Sequence, residues 1–186
     1  MDAQVASRFV RDLKAENSLR RRDDGSMATI RIEMLIDAPL ELCFDLARDI
    51  DFHTRTMSGT DERAVAGRMA GLIELGESVT WEARHLGVRQ QLTSKITAFE
   101  RPTYFRDEMT MGAFRSFAHD HRFEMIQGRT VMVDEVEFRS PFGLIGWVVD
   151  WLFMTGYLRR LLRGRSAAIK GEAERIAGDE RERRGD

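Results

Sequence analysis

A single cysteine, Cys43, occurs among the 186 residues, which excludes an intrachain disulfide and gives no sign of an oxidising compartment. Its neighbours Leu42 and Phe44 are apolar, so the thiol reads as a buried, inert side chain rather than a nucleophile. A basic excess is also missing, because 29 Lys and Arg stand against 31 Asp and Glu. Duplex nucleic acid needs a basic excess or a basic face, so no nucleic-acid partner is expected. Long apolar runs are absent too. The most apolar stretch, residues 141–158, is interrupted by Asp150 and is short for a bilayer span. The first 26 residues lack the continuous apolar core of a signal peptide, and a cytoplasmic location is the expectation. There is no GxxxxGK, no GxGxxG after the first strand, no CxxC, no HExxH and no GxSxG. Their absence argues against a nucleotide-dependent enzyme and a serine hydrolase. No cofactor is expected.

Tyrosine is scarce as well, two residues against eleven Phe and ten Met. Thioethers and phenyl rings fill irregular cores and line adaptable apolar pockets, and composition alone does not separate those uses. At this length, one domain with a sizeable core is expected.

The chain divides into three parts. In residues 1–26, Val5, Phe9, Val10 and Leu13 recur at helical spacing before SLRRRDDGS breaks the pattern, which reads as a helical extension and linker. Residues 27–178 form the folded domain, and 179–186 a charged, solvated tail. The domain opens on ATIRIEMLI, where Ile30, Ile32 and Met34 alternate as in a half-buried strand. Asp37, Ala38 and Pro39 then start a helix, with Asp37 as acceptor for the first N–H groups. Leu42, Cys43, Leu46 and Ala47 supply its apolar face. A second short helix covers Ile50 to Met57.

Successive strands follow at about 61–66, 77–86, 88–99, 103–111, 114–125 and 130–138, separated by Gly87, Arg101-Pro102, Gly112 and Gln127-Gly128-Arg129. Short turns between strands of this length imply an antiparallel meander. Leu144, Trp147, Val148, Trp151, Met154, Leu158, Leu161 and Leu162 then recur at helical spacing, and this helix is expected to end near Ala177.

In order, these elements and residues resemble the START-like, helix-grip (SRPBCC) superfamily, and within it the polyketide cyclase/dehydrase and lipid transport group. The resemblance is carried by Ala38, Pro39, Phe44 and Asp49 in the opening strand and helix, by GESVTWEARHLG, and by ITAFERPTYFRDEM. GAFRSFAHDHRFE and VDEVEFRSPFGLIG complete it, so that it spans roughly residues 28–177. It implies an α+β, helix-grip fold, in which a bent antiparallel β-sheet wraps around a long C-terminal α-helix, with two short helices after the first strand. It also implies an internal cavity between sheet and helix, since a bent sheet gripping one helix leaves a gap on its concave side.

By alternation, Trp81, Ala83 and His85 share one strand face, Phe105, Asp107 and Met109 another, and Phe117, His119, His121 and Phe123 a third. Assigned to the concave side, they form the candidate ligand-binding set, faced by Trp147 and Trp151 from the helix. Three readings of the polar members stay open. Asp107, His85, His119 and His121 are hydrogen-bonding anchors for a ligand, satisfied structural groups, or an acid–base or zinc site. Asp134 lies on a strand that can bring it close to Asp107.

The functional expectation is binding or transport of a hydrophobic small molecule or lipid. The alternatives are a cyclase or aromatase-type enzyme using a His/Asp pair in the same cavity, and an interaction module of the chaperone-cofactor kind. The sequence does not decide whether a reaction is catalysed, nor the oligomeric state. Arg159, Arg160, Arg163 and Arg165 read as a solvated basic helix face or as a transient contact with anionic lipid headgroups.

Overall fold

The computed structural model describes residues 27–85, 87–139 and 154–185. The expected N-terminal helix, Trp147 and Trp151 lie outside the described residues. Strand β1 (Ala28–Ile36) is followed by helices α1 (Leu40–Ala47) and α2 (Ile50–Thr56), and by a short 3-10 turn. Then come β2 (Arg63–Gly67), β3 (Ser78–His85), β4 (Val88–Glu100), β5 (Tyr104–Met111), β6 (Ser116–Ile126), β7 (Arg129–Arg139) and helix α3 (Thr155–Arg184). The seven strands make one antiparallel sheet in the order β1-β7-β6-β5-β4-β3-β2. The meander therefore runs from β2 to β7, and β1 returns to pair with β7.

Alternation sets the faces. On β1, Ile30, Ile32 and Ile36 are buried and lie opposite Val136, Asp134 and Thr130 of β7. The loop from β6 to β7 is the two residues Gln127 and Gly128, with φ of 52° and 77°. Two successive positive φ values match the right-handed twist of the flanking strands. Arg129 already belongs to β7 and pairs with Ile126, which fixes the register of the whole hairpin and sets His121 opposite Asp134. On β4 a bulge between Ile96 and Ala98 shifts the parity, so Ile96 and then Phe99 both face the core.

The core packs around Phe44, which is fully buried. Its ring meets Phe99, Phe105 and Phe123 edge-on, at centroid distances of 5.4, 5.4 and 5.5 Å, a geometry favoured by the ring quadrupoles. Helix α3 contributes Ile169, Ala173 and Ala177 to this cluster at helical spacing. Nearer its N-terminus, Leu158 and Leu162 cover a second cluster of Ile30, Ile32, Val136 and Phe138.

Two local expectations need correction. Asp37 does not cap α1: Pro39 holds the N-cap position without a side-chain hydrogen bond, and the Asp37 N–H instead donates to Glu174 Oε1 at 2.9 Å. The capping aspartate is Asp49, whose Oδ1 accepts from the N–H groups of Asp51 and Phe52 at the start of α2. Second, α3 does not stop near Ala177 but continues to Arg184, where Gly185 takes the left-handed conformation (φ 77°) suited to a helix C-cap. Arg175 is held between Glu172 and Asp179 at 2.8 Å each. Arginines in the last turn face the negative end of the helix dipole.

Candidate functional site

Between the concave face of the sheet, α2 and the first turns of α3 lies a cavity of about 200 Å³. The strand faces read from alternation supply its wall. Trp81, Ala83 and His85 of β3, Phe105 and Asp107 of β5, and Phe117, His119 and His121 of β6 all line it. Met109 and Phe123 do not. Phe123 shares the inward face but sits deeper, against Phe44 and Phe105. Met109 is half-buried at the far end of β5, opposite Ser94.

Strand register converts separate residues into one polar cluster. β5 and β6 pair so that Asp107 is opposite His119, and β6 and β7 pair so that His121 is opposite Asp134. His121 Nδ1 lies 2.7 Å from Asp134 Oδ1, a bond between two nearly fully buried groups. Ser166 of α3 donates to the other oxygen, Asp134 Oδ2, at 2.8 Å. His121 Nε2 is 3.4 Å from Asp107 Oδ2, and the rings of His119 and His121 lie 3.7 Å apart. His119 Nε2 is buried and has no hydrogen-bond partner among the described residues, with Asp134 Oδ1 3.5 Å away.

Burial by itself would push the Asp134 carboxyl up, but the close approach of His119 and the hydrogen bond and charge of His121 outweigh it and hold it well below the usual carboxylate range. Asp107 behaves alike: burial opposes the charge, and His121 and His119 more than restore it. The two histidines diverge. Burial, reinforced by the charge on its neighbour His121, lowers His119. For His121 the pull of Asp107 and Asp134 exceeds the burial penalty and raises it.

A second polar group was not anticipated from the sequence. His53 of α2 stacks on Trp81 at 4.2 Å, and its Nε2 is 3.1 Å from Glu62 Oε1. Burial, then the charge of Arg165, lowers His53. Arg165 itself departs from the solvated basic face assigned to it. It lines the cavity, donates Nη2 to the carbonyl of Ala47 at 2.5 Å, and leaves its buried Nε without a partner among the described residues. Arg159, Arg160 and Arg163 remain exposed. His85 does not join the cluster. Its Nδ1 pairs with the Tyr157 hydroxyl at 2.8 Å, tying the end of β3 to the start of α3. Cys43 is fully buried and lies outside the cavity wall, with its thiol pushed up to about 11 by burial.

This arrangement can hold an apolar molecule against Trp81, Phe105, Phe117, Leu158 and Leu162 while a buried His/Asp cluster meets its polar end. Residues 27–174 match the family model described as "Polyketide cyclase / dehydrase and lipid transport". The chain belongs to that family. Membership places it in the SRPBCC superfamily and carries the hydrophobic-ligand-binding fold that the family is associated with.

Solved structures agree on the architecture. The protein TTHA0849 from Thermus thermophilus is similar at 18 % identity and a TM-score of 0.61, over 78 % of this chain and 99 % of its own. Ara h 8.0201 is 16 % identical with a TM-score of 0.59, over 79 % of this chain and 97 % of its own. Major latex-like protein 151 from Panax ginseng is 11 % identical with a TM-score of 0.61, over 80 % and 99 %. At such identities these likenesses establish a shared fold. No curated protein matches the chain. Among the described residues of this family member, no helix is long and apolar enough to cross a membrane.

Proposed function

We propose that the protein binds a hydrophobic small molecule in the cavity between sheet and α3, with the ligand's polar end against His119, His121 and Asp107. The observation that carries this reading is His119, a cavity-lining residue whose buried Nε2 has no hydrogen-bond partner among the described residues. Such a group costs about 1–3 kcal/mol while unsatisfied, and a ligand oxygen would recover that cost. Trp81, Phe105 and Phe117 contribute burial. Covering about 200 Å² of apolar ligand surface is worth about 5 kcal/mol before association costs.

A volume of about 200 Å³ lies below the ~300–1,000 Å³ of pockets for drug-sized ligands. The favoured ligand is therefore a small aromatic or a short acyl compound, not a two-tailed lipid. A second reading follows from the 2.7 Å bond between His121 and Asp134. A histidine oriented by a buried carboxylate is poised for proton transfer, as a cyclase would require. In that case His121→Gln abolishes turnover and weakens ligand binding far less.

The test is native mass spectrometry of the gently purified chain, compared with its denatured mass, together with titration by an apolar fluorescent probe. Wild-type protein is expected to carry an organic mass or to bind the probe saturably. Ala83→Phe, which fills the wall opposite α3, is expected to do neither. A bare polypeptide with no saturable probe binding would overturn the reading.

A further inference from the structure

We propose that Asp107, His119 and His121 form a binding site for one divalent transition-metal ion of the zinc type, open to the cavity. The proposal stands apart from the apolar-ligand reading, because an ion can occupy this site whether or not the cavity holds an organic molecule.

One ligand atom from each of the three residues lies within 4.8 Å of the other two. His121 Nε2 and Asp107 Oδ2 are 3.4 Å apart, and His119 Nδ1 and the same oxygen are 3.9 Å apart. Donors bound to one zinc ion at ~2.0–2.2 Å in tetrahedral geometry sit at about these separations, so only small side-chain adjustments are needed.

The surroundings favour a cation. His121 Nδ1 is engaged by Asp134 at 2.7 Å, which fixes the tautomer with its hydrogen on Nδ1 and turns the Nε2 lone pair toward the Asp107 carboxylate. A neutral His121 then presents that lone pair to the buried carboxylate, and the cation that offsets the two donors is either the proton of the imidazolium or a metal ion that displaces it. The chain Ser166–Asp134–His121 is the carboxylate–histidine outer shell that orients metal-bound imidazoles. His119 Nε2, the orphaned atom, points its ring edge at Asp134 Oδ1 at 3.5 Å, so Nδ1 is free to turn to the ion. Among the described residues lining the cavity, the carboxylates Asp49, Glu62 and Asp107 outnumber the fixed cations Arg48 and Arg165, and the buried Asp134 behind His121 adds a further negative charge.

Three protein donors with the cavity on the remaining side match the open coordination of a catalytic rather than a structural site. The free position would take water or a ligand oxygen.

The full chain, stripped with chelator and dialysed, is titrated with zinc chloride by calorimetry. Cobalt(II) serves as a second probe, through its visible absorption. The expected result is one equivalent of metal with cobalt bands of a four-coordinate nitrogen and oxygen site. Asp107→Asn and His119→Gln should each weaken affinity by ~100-fold or more, beyond the ~10–100-fold cost of losing an outer-shell group. Imidazole nitrogen resonances of the wild-type protein give a readout without any substitution: those of His119 and His121 shift on zinc addition, and those of His53 and His85 do not. Absence of saturable metal uptake, uptake unaffected by both variants, or resonance shifts confined to His53 or His85 would overturn the proposal. Loss of the organic ligand alone, with metal binding kept, would overturn only the preceding reading.

Discussion

Ser166→Ala tests whether α3 is locked to the sheet through the buried aspartate. Ser166 is fully buried, and its hydroxyl reaches both Asp134 Oδ2 at 2.8 Å and the Leu162 carbonyl at 2.9 Å. A hydroxyl has one hydrogen to donate, and the ionised acceptor takes it, because hydrogen bonds to charged groups are the stronger ones. Removing a bond of that kind costs about 1.5–3 kcal/mol. Alanine returns about 0.5 kcal/mol through its better helix propensity, so the net loss is about 1–2.5 kcal/mol. For a chain of this size each kcal/mol shifts the Tm by about 2–4 °C, which predicts a fall of roughly 2–10 °C. Urea unfolding followed by circular dichroism should show a lower midpoint at unchanged slope. A double-mutant cycle with Asp134→Asn should return a coupling of about 1 kcal/mol or more. An Ala variant as stable as the wild type, or strictly additive variants, would show that Asp134 is held without Ser166 and would refute this account of how α3 is anchored.

Phe44→Ala should cost about 3–5 kcal/mol in the same unfolding experiment, because three ring contacts vanish from a fully buried position. Tyr104, whose hydroxyl donates to Asp120 at 2.5 Å, has its ionisation pushed up to about 12 by burial and by that bond. The stabilisation this represents is complete below the ordinary tyrosine value of about 10 and is lost as pH rises toward 12. Ultraviolet titration should accordingly find no tyrosine ionising at its ordinary value in the native protein, since Tyr157 is raised as well. Cys43, with its thiol near 11, should be inert to a disulfide reagent in the native protein at a pH near its ordinary ~8.5, and react once per chain after denaturation. A native chain that reacts at the unfolded rate would place the thiol at the surface.

Much of the candidate site follows from period-two patterning. Trp81, Ala83 and His85 alternate on β3, and Phe117, His119 and His121 alternate on β6, and all six face the cavity, because neighbouring side chains of a strand must leave on opposite sides. Alternation gives the face but not the depth, which is why Phe123 lies in the Phe44 cluster and Met109 beyond the cavity. The polar residues that were missed sit where no periodic signal applies. Arg165 occupies a helical position that reads as solvated charge, His53 lies on a short helix whose pattern assigns it no role, and Glu62 immediately precedes β2. No pattern in a single segment announces that such a charge points inward.

The element order, the antiparallel meander, the inward strand faces and the burial of Cys43 were legible in the amino-acid sequence, because local periodicity, turn residues and hydrophobic burial are written residue by residue. Only the tertiary structure decided that His121 meets Asp134 and Asp107 meets His119. That outcome depends on inter-strand register, which the left-handed pair Gln127 and Gly128 sets for β6 and β7, and a slip of one residue would have sent every side chain of a strand to the other face. The tertiary structure likewise decided that Ser166 and Arg165 turn inward, and that α3 outlasts Ala177, held there by Arg175 between two carboxylates and by Gly185 at its end. These are contacts between segments far apart in the chain or balances between local charges, and hydrophobic period does not encode either.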